Sequence, residues 1–109
     1  MQQETPNKYR VVVSERAARM LVSCAAFLAE AAPEAAERLI DRFEAAARSL
    51  EQMPRRCPWL EGNYIPRGVY RYRLFAEHYM IVYQIEDDTV YADYVLDCRQ
   101  DYGWLLRSQ

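Results

Sequence analysis

Five side chains in the last third of the chain have the types and the spacing to handle an anion. Arg71 and Arg73 occupy alternate positions of one β-rich run, and Arg99, Asp101 and Tyr102 close another. Alternate residues of a strand point to one face, so the first two guanidinium groups stand side by side there. Each presents a fork of donors that fits phosphate or carboxylate oxygens. The closing run adds a third cation, a carboxylate and a phenol at the end of the same sheet. Cations repeated along one face of a stiff tyrosine-rich platform imply an anionic ligand.

The platform is legible as three strands, at 69–75, 79–86 and 89–98, joined by Ala76-Glu77-His78 and by Asp87-Asp88. Connections this short force antiparallel hairpins. Period-two alternation then assigns faces. Tyr70, Tyr72 and Leu74, with Tyr79, Ile81, Tyr83 and Ile85, and with Val90, Ala92, Tyr94 and Leu96, are expected to lie under helices. Arg71, Arg73 and Phe75, with Met80, Val82 and Gln84, and with Tyr91, Asp93, Val95, Asp97 and Arg99, are expected on an open polar face.

Ahead of the meander, residues 9–13 form a short β-branched run, and Ser14 is placed to cap a helix directly after it. From 15 to 31 the apolar positions Ala17, Met20, Leu21, Cys24, Phe27, Leu28 and Ala31 recur at three- and four-residue steps. Pro33 suits the first turn of a second helix. Across 34–53, Ala36, Leu39, Ile40, Phe43, Ala47 and Leu50 share a face, with Glu34/Arg38 and Glu44/Arg48 as outward i,i+4 pairs. The two segments predict an antiparallel helical hairpin ended by Pro54. Residues 55–66 read as an irregular connection in which Trp59 and Leu60 plug the core.

At 109 residues, 51% hydrophobic and 28% charged, the chain predicts one folded domain spanning 1–109. No apolar run approaches the ~20 residues that cross a bilayer, and the polar start, Met1 to Lys8, does not read as a secretion signal. A cytoplasmic protein without a membrane partner is expected. Three widely spaced cysteines, Cys24, Cys57 and Cys98, and one histidine argue against a disulfide framework or a zinc site. No metal or cofactor is expected. A net charge of −2 argues against a non-specific nucleic-acid coat protein, although a local basic face is compatible with it.

The order strand, helical hairpin, three-stranded meander, charged tail resembles the RelE/ParE superfamily of toxins from type II toxin–antitoxin modules. The resemblance is carried by Pro33-Glu34-Ala35-Ala36-Glu37-Arg38-Leu39, by Tyr79-Met80-Ile81-Val82-Tyr83-Gln84, by the acidic turn Glu86-Asp87-Asp88-Thr89-Val90, and by Cys98-Arg99-Gln100-Asp101-Tyr102. It implies an α+β, microbial-RNase-like fold, with an N-terminal strand and a helical hairpin packed on one face of a small twisted antiparallel sheet. It also implies a cognate antitoxin that supplies an extended or helical segment to the toxin surface.

Two activities share that fold, and a fold does not choose between them. RelE-type members cut ribosome-bound mRNA, and ParE-type members poison DNA gyrase. On the first reading the resemblance implies metal-free attack of a 2′-hydroxyl on the adjacent phosphate. Arg71 and Arg73 would clamp the phosphate, Arg99 would stabilise the pentavalent charge, and Asp101 or Tyr102 would manage protons. Met80 stands where RelE-like toxins carry a third-strand basic residue, and Asp101 stands where the YoeB-like closing motif has a histidine. Messenger RNA cleavage is the first expectation, non-catalytic gyrase poisoning the second, and a fold that has lost its activity the third. Convergence of Arg71, Arg73, Arg99 and Tyr102 would favour phosphate chemistry, and neutralisation of these cations by acids would favour binding.

Overall fold

The structure, a computed structural model, describes residues 8–99. Its elements follow the order β1 (Arg10–Val13), α1 (Glu15–Ala31), α2 (Pro33–Ser49), a 3₁₀ turn (Pro54–Arg56), β2 (Arg71–Phe75), β3 (Tyr79–Glu86) and β4 (Thr89–Asp97). The strands form one sheet in the order β1-β4-β3-β2. β2, β3 and β4 are the expected antiparallel meander, and β1 joins β4 in parallel, which makes the sheet mixed. Among the described residues no helix is long and apolar enough to cross a membrane.

Ser14 starts α1 as its residue type requires. The hydroxyl accepts from the amide of Ala17 at 2.9 Å and donates to the carbonyl of Asp93 at 3.2 Å. That carbonyl is available because Asp93 is the extra residue of a β-bulge: Tyr83 pairs with Ala92 and Val82 with Tyr94, leaving Asp93 between them. Arg16 also donates to it through Nε, at 3.2 Å. The helix cap and the bulge thus satisfy one another's backbone groups, and α1 is tied to β4 where β1 ends.

α1 buries Ala17, Leu21 and Ala25, an i, i+4, i+8 row in which two alanines let the helix approach β4 closely. Phe27, expected on this face, is instead 72% exposed, because Ala25 and Leu28 occupy the inward directions on either side of it. α2 buries Leu39, Phe43 and Ala46, followed by Leu50. It ends at Ser49 rather than running to residue 53. The amide of Tyr9 bonds the carbonyl of Glu51 at 2.9 Å and Lys8 bridges Gln52, so the chain ahead of β1 draws this segment into extended pairing. Pro54 adds to this by disfavouring the helical conformation at Met53, which is left-handed with φ 48°.

The expected faces need two corrections. The three-residue turn 76–78 pairs Phe75 with Tyr79, and therefore Arg73 with Ile81 and Arg71 with Tyr83. Directly opposed residues share a face, so both arginines lie on the helix side of the sheet, with Phe75, Tyr79, Ile81 and Tyr83 in the principal core. The bulge at Asp93 reverses the parity of β4 beyond it, which sends Val95 towards the helices and Tyr94 and Leu96 to the opposite face. That opposite face is not open and polar. The segment between the 3₁₀ turn and β2 folds over it, and Leu60 and Ile65 form a second core with Tyr70, Met80, Val82, Tyr94 and Leu96. β3 is consequently buried on both sides from Tyr79 to Tyr83.

Candidate functional site

Arg71 acts as a brace. Its Nη1 donates to the carbonyls of Cys57 at 2.7 Å and Arg55 at 3.1 Å, and its guanidinium carbon lies 3.8 Å from the centre of the Trp59 ring. Tyr83, its partner across the strands, donates to the carbonyl of Pro54 at 2.7 Å, and burial pushes the Tyr83 phenol well above its ordinary pKa. Together they pin the start of the covering segment, which is held further by the bonds Leu60 N–H to Tyr70 C=O (2.7 Å) and Tyr72 N–H to Pro58 C=O (3.2 Å). Arg73, two positions on, donates through Nε to the Ser49 hydroxyl at 3.2 Å, at the end of α2.

Arg99 lies at the far end of the sheet. Its Nε and Nη2 grip the two oxygens of Asp97 at 2.9 and 2.8 Å, and its own amide bonds Oδ1 at 2.9 Å. This fork holds the Asp97 carboxyl below its usual range. Arg71 stands opposite Tyr83 and Asp97 opposite Tyr79, four positions apart along β3, or about 13 Å at ~3.3 Å per residue. Arg99 is two residues further out. The structure therefore brings Arg71 and Arg73 to one side of the sheet but does not bring Arg71 together with Arg99. Asp101 and Tyr102 lie outside the described residues.

The sheet face opposite the helices has little chemistry for phosphate. Its positions on the three meander strands are Tyr72 and Leu74 on β2, Met80, Val82 and Gln84 on β3, and Tyr91, Tyr94 and Leu96 on β4, none of them basic, and Arg10 of β1, paired with Thr89, adds a cation at the sheet edge. Where the covering segment ends, Trp59 and Leu74 are 43% and 52% exposed and border a shallow recess with Tyr72 and Cys98. At the other end Gln84 donates to Asp93 at 2.9 Å. Arg16 approaches from α1, 4.0 Å over the Tyr94 ring, with its Nε already committed to the backbone.

Two arginines not selected from the sequence, Arg38 and Arg42, lie near Arg99. A groove of about 300 Å³ runs between α2 and the β2–β3 turn, and Arg38, Arg42, His78 and Arg99 line it. Arg38 was expected to pair with Glu34. No such bond forms within 4 Å, nor does one between Glu44 and Arg48; the i,i+4 ion pair that does form is Glu15–Arg19, at 3.6 Å. The signal for Arg38 and Arg42 was their one-turn spacing on α2, which a reading of helix surface as solvent decoration passes over.

A family model described as the ParE toxin of the type II toxin–antitoxin system parDE matches residues 11–102. A solved structure titled "Chromosomal ParDE TA system from P. aeruginosa" superimposes with a TM-score of 0.69 at 10% identity, over 84% of this chain and 97% of that one. No curated protein matches the sequence at a significant level. The element order, the helical hairpin on a four-stranded sheet and the family match define a toxin of a type II toxin–antitoxin module. The chain belongs to the ParE toxin family.

Proposed function

We propose that this toxin arrests growth as ParE-type members of its superfamily do, by binding DNA gyrase, and that it is not a ribosome-dependent nuclease. The observation that carries the reading is the distribution of charge on the sheet. The face opposite the helices offers tyrosine, methionine and aliphatic side chains from β2 to β4, with Arg10 at the β1 edge, while Arg71 is engaged in bracing the covering segment and Arg99 is matched to Asp97. Phosphoryl chemistry without a metal needs several uncommitted donors aimed at one phosphate. Binding to a protein surface needs exposed apolar and aromatic anchors on a rigid frame, and Trp59, Leu74, Val22 and Phe27 are of that kind.

The family match supports this target over the ribosome, and a neighbouring gene is expected to encode the antitoxin. On this reading the toxin works in the cytoplasm, with gyrase and the antitoxin as its partners. The test is a pair of assays on the purified chain: supercoiling of relaxed plasmid by gyrase, and integrity of a defined mRNA on translating ribosomes. Inhibition of supercoiling with intact mRNA is expected. Ribosome-dependent cleavage with unaffected gyrase would overturn the proposal in favour of the nuclease reading, and no effect in either assay would favour a toxin that has lost its activity.

A further inference from the structure

β2 is an edge of the sheet, and the covering segment closes only its first half. The carbonyl of Tyr70 accepts from the amide of Leu60 at 2.7 Å, and the amide of Tyr72 donates to the carbonyl of Pro58 at 3.2 Å. Residues 70 and 72 thus turn their backbone groups outward, and Leu74, two positions on, points its N–H and C=O the same way. Among the described residues neither group of Leu74 has a partner across that edge. The Leu74 side chain is exposed as well, as is Trp59 beside it. Trp59, Glu61, Tyr72, Leu74, Met80 and Cys98 line one recess of about 350 Å³ there. A bare edge carrying exposed apolar side chains is a template for another strand, and native sheets cover such edges.

The chain itself leaves the sheet at this recess. Leu74 pairs with Met80 and Met80 with Leu96, a row across the sheet, and Cys98 is the next residue of β4 on the same face. The Cys98 amide is tied to the carbonyl of His78 at 2.7 Å, and the carboxylate of Asp97 accepts from the amide of Arg99 at 2.9 Å, which turns the chain as β4 ends. The sequence then continues Gln100-Asp101-Tyr102-Gly103-Trp104-Leu105-Leu106. Three strand spacings, roughly 14 Å, separate β4 from a strand laid beside β2, and four to five extended residues span that distance. Counted from Arg99, Gly103 and Trp104 arrive there. We infer that residues 102–106 close the open half of the β2 edge, with the Trp104 ring between Trp59 and Leu74 and a backbone bond to the Leu74 amide. Aromatic and aliphatic side chains on a short strand suit a recess in which rings alternate with open backbone groups. The short link gives the segment an effective concentration on the order of millimolar, above that of a second copy of the chain. The contact does not depend on the gyrase reading. While it is made, Trp59 and Leu74 are shielded, and the apolar surface left for a partner is Val22 and Phe27 on α1.

The experiment is amide hydrogen exchange and nuclear Overhauser spectroscopy on the full chain, comparing the wild type with W104A/L105A. In the wild type the Leu74 amide is expected to be protected, with cross-peaks between the Trp104 indole and the Leu74 methyl groups. In W104A/L105A exchange at Leu74 should be at least ~10-fold faster, while Ile81, in the core of β3, keeps its wild-type rate and so reports an intact fold. An unprotected Leu74 amide in the wild type, or the absence of the indole cross-peaks, would overturn the inference whatever the variant does. Protection that survives W104A/L105A would assign the edge to another segment and equally overturn it. Protection that disappears on dilution would make a second copy of the chain the occupant, with the same consequence.

Discussion

Replacing Arg71 by alanine separates a brace from a ligand clamp. In the structure one nitrogen of Arg71 serves two carbonyls and the plane of its guanidinium covers Trp59. The half-buried bond to Cys57, with a charged donor, is worth about 1.5 kcal/mol, the exposed bond to Arg55 about 0.5 kcal/mol, and the cation–π contact about 0.5–1 kcal/mol. Arg71→Ala should therefore destabilise the fold by roughly 2–3 kcal/mol. For a chain of this size that lowers the melting temperature by about 10 °C. Arg71→Lys keeps the charge without the planar fork, and should recover less than half of the loss. Circular dichroism melts measure both variants, and hydrogen exchange at the Leu60 amide, bonded to Tyr70 across the covering segment, should speed up in each. A melt within about 2 °C of wild type, together with lost growth inhibition, would refute the bracing role and return Arg71 to a ligand site.

Three further perturbations test the electrostatics and the cap. The Arg99 guanidinium holds the Asp97 carboxyl below its ordinary value of 3.8, so its contribution to stability is full at neutral pH and fades as the pH falls through the folded value. The melting difference between wild type and Asp97→Asn should accordingly vanish in strong acid; a difference that grows there would contradict the pairing. Burial pushes the Tyr94 phenol up to about 12 and raises Tyr70, Tyr79 and Tyr83 from 10.0 as well. The fold favours their protonated forms, so stability should hold below about pH 10 and fall as the pH rises towards about 12, read as a lower urea midpoint at about pH 11 than at about pH 9. Ser14→Ala removes the cap of α1 and a bond to the bulge carbonyl, and should cost about 1–2 kcal/mol by denaturant titration, whereas Ser14→Asp should retain most of the cap.

Both helices were legible because three- and four-residue apolar spacing survives on its own, and Ser14 and Pro33 mark their starts with side-chain chemistry. β3 was legible to its ends for a similar reason, since the turns at 76–78 and 87–88 bound it on both sides. The assignment of faces failed where that logic loses its purchase. A strand covered on both sides no longer alternates in polarity, and Tyr79 to Tyr83 are all buried. Arg71 and Arg73 look like an exposed polar row, yet their long stems fit the helix side and their guanidinium groups reach the carbonyls and the hydroxyl at its margin. The bulge at Asp93 is set by Ser14 and Arg16, some eighty residues earlier, and has no local signal. The parallel pairing of β1 with β4 is equally non-local.

The surroundings of the candidate cations were less legible than the fold. The sequence left open whether acids would neutralise the cations, and in the structure Asp97 does so for Arg99. Arg38 was hidden by a plausible i,i+4 pairing with Glu34 that the side chains do not make, and Arg42 had no signal beyond its one-turn spacing from Arg38. Helix-surface pairs are worth only ~0.3–0.5 kcal/mol, too little to hold an arginine against another conformation. Their spacing alone could therefore not show whether they were already engaged.

The most direct test of the gyrase assignment is a pulse-label of nascent DNA and nascent protein in bacteria within minutes of inducing this chain without its antitoxin. The account predicts that DNA synthesis falls first while protein synthesis continues. A collapse of protein synthesis ahead of any change in DNA synthesis would contradict it, and would return the chain to the messenger-cleaving branch of its superfamily.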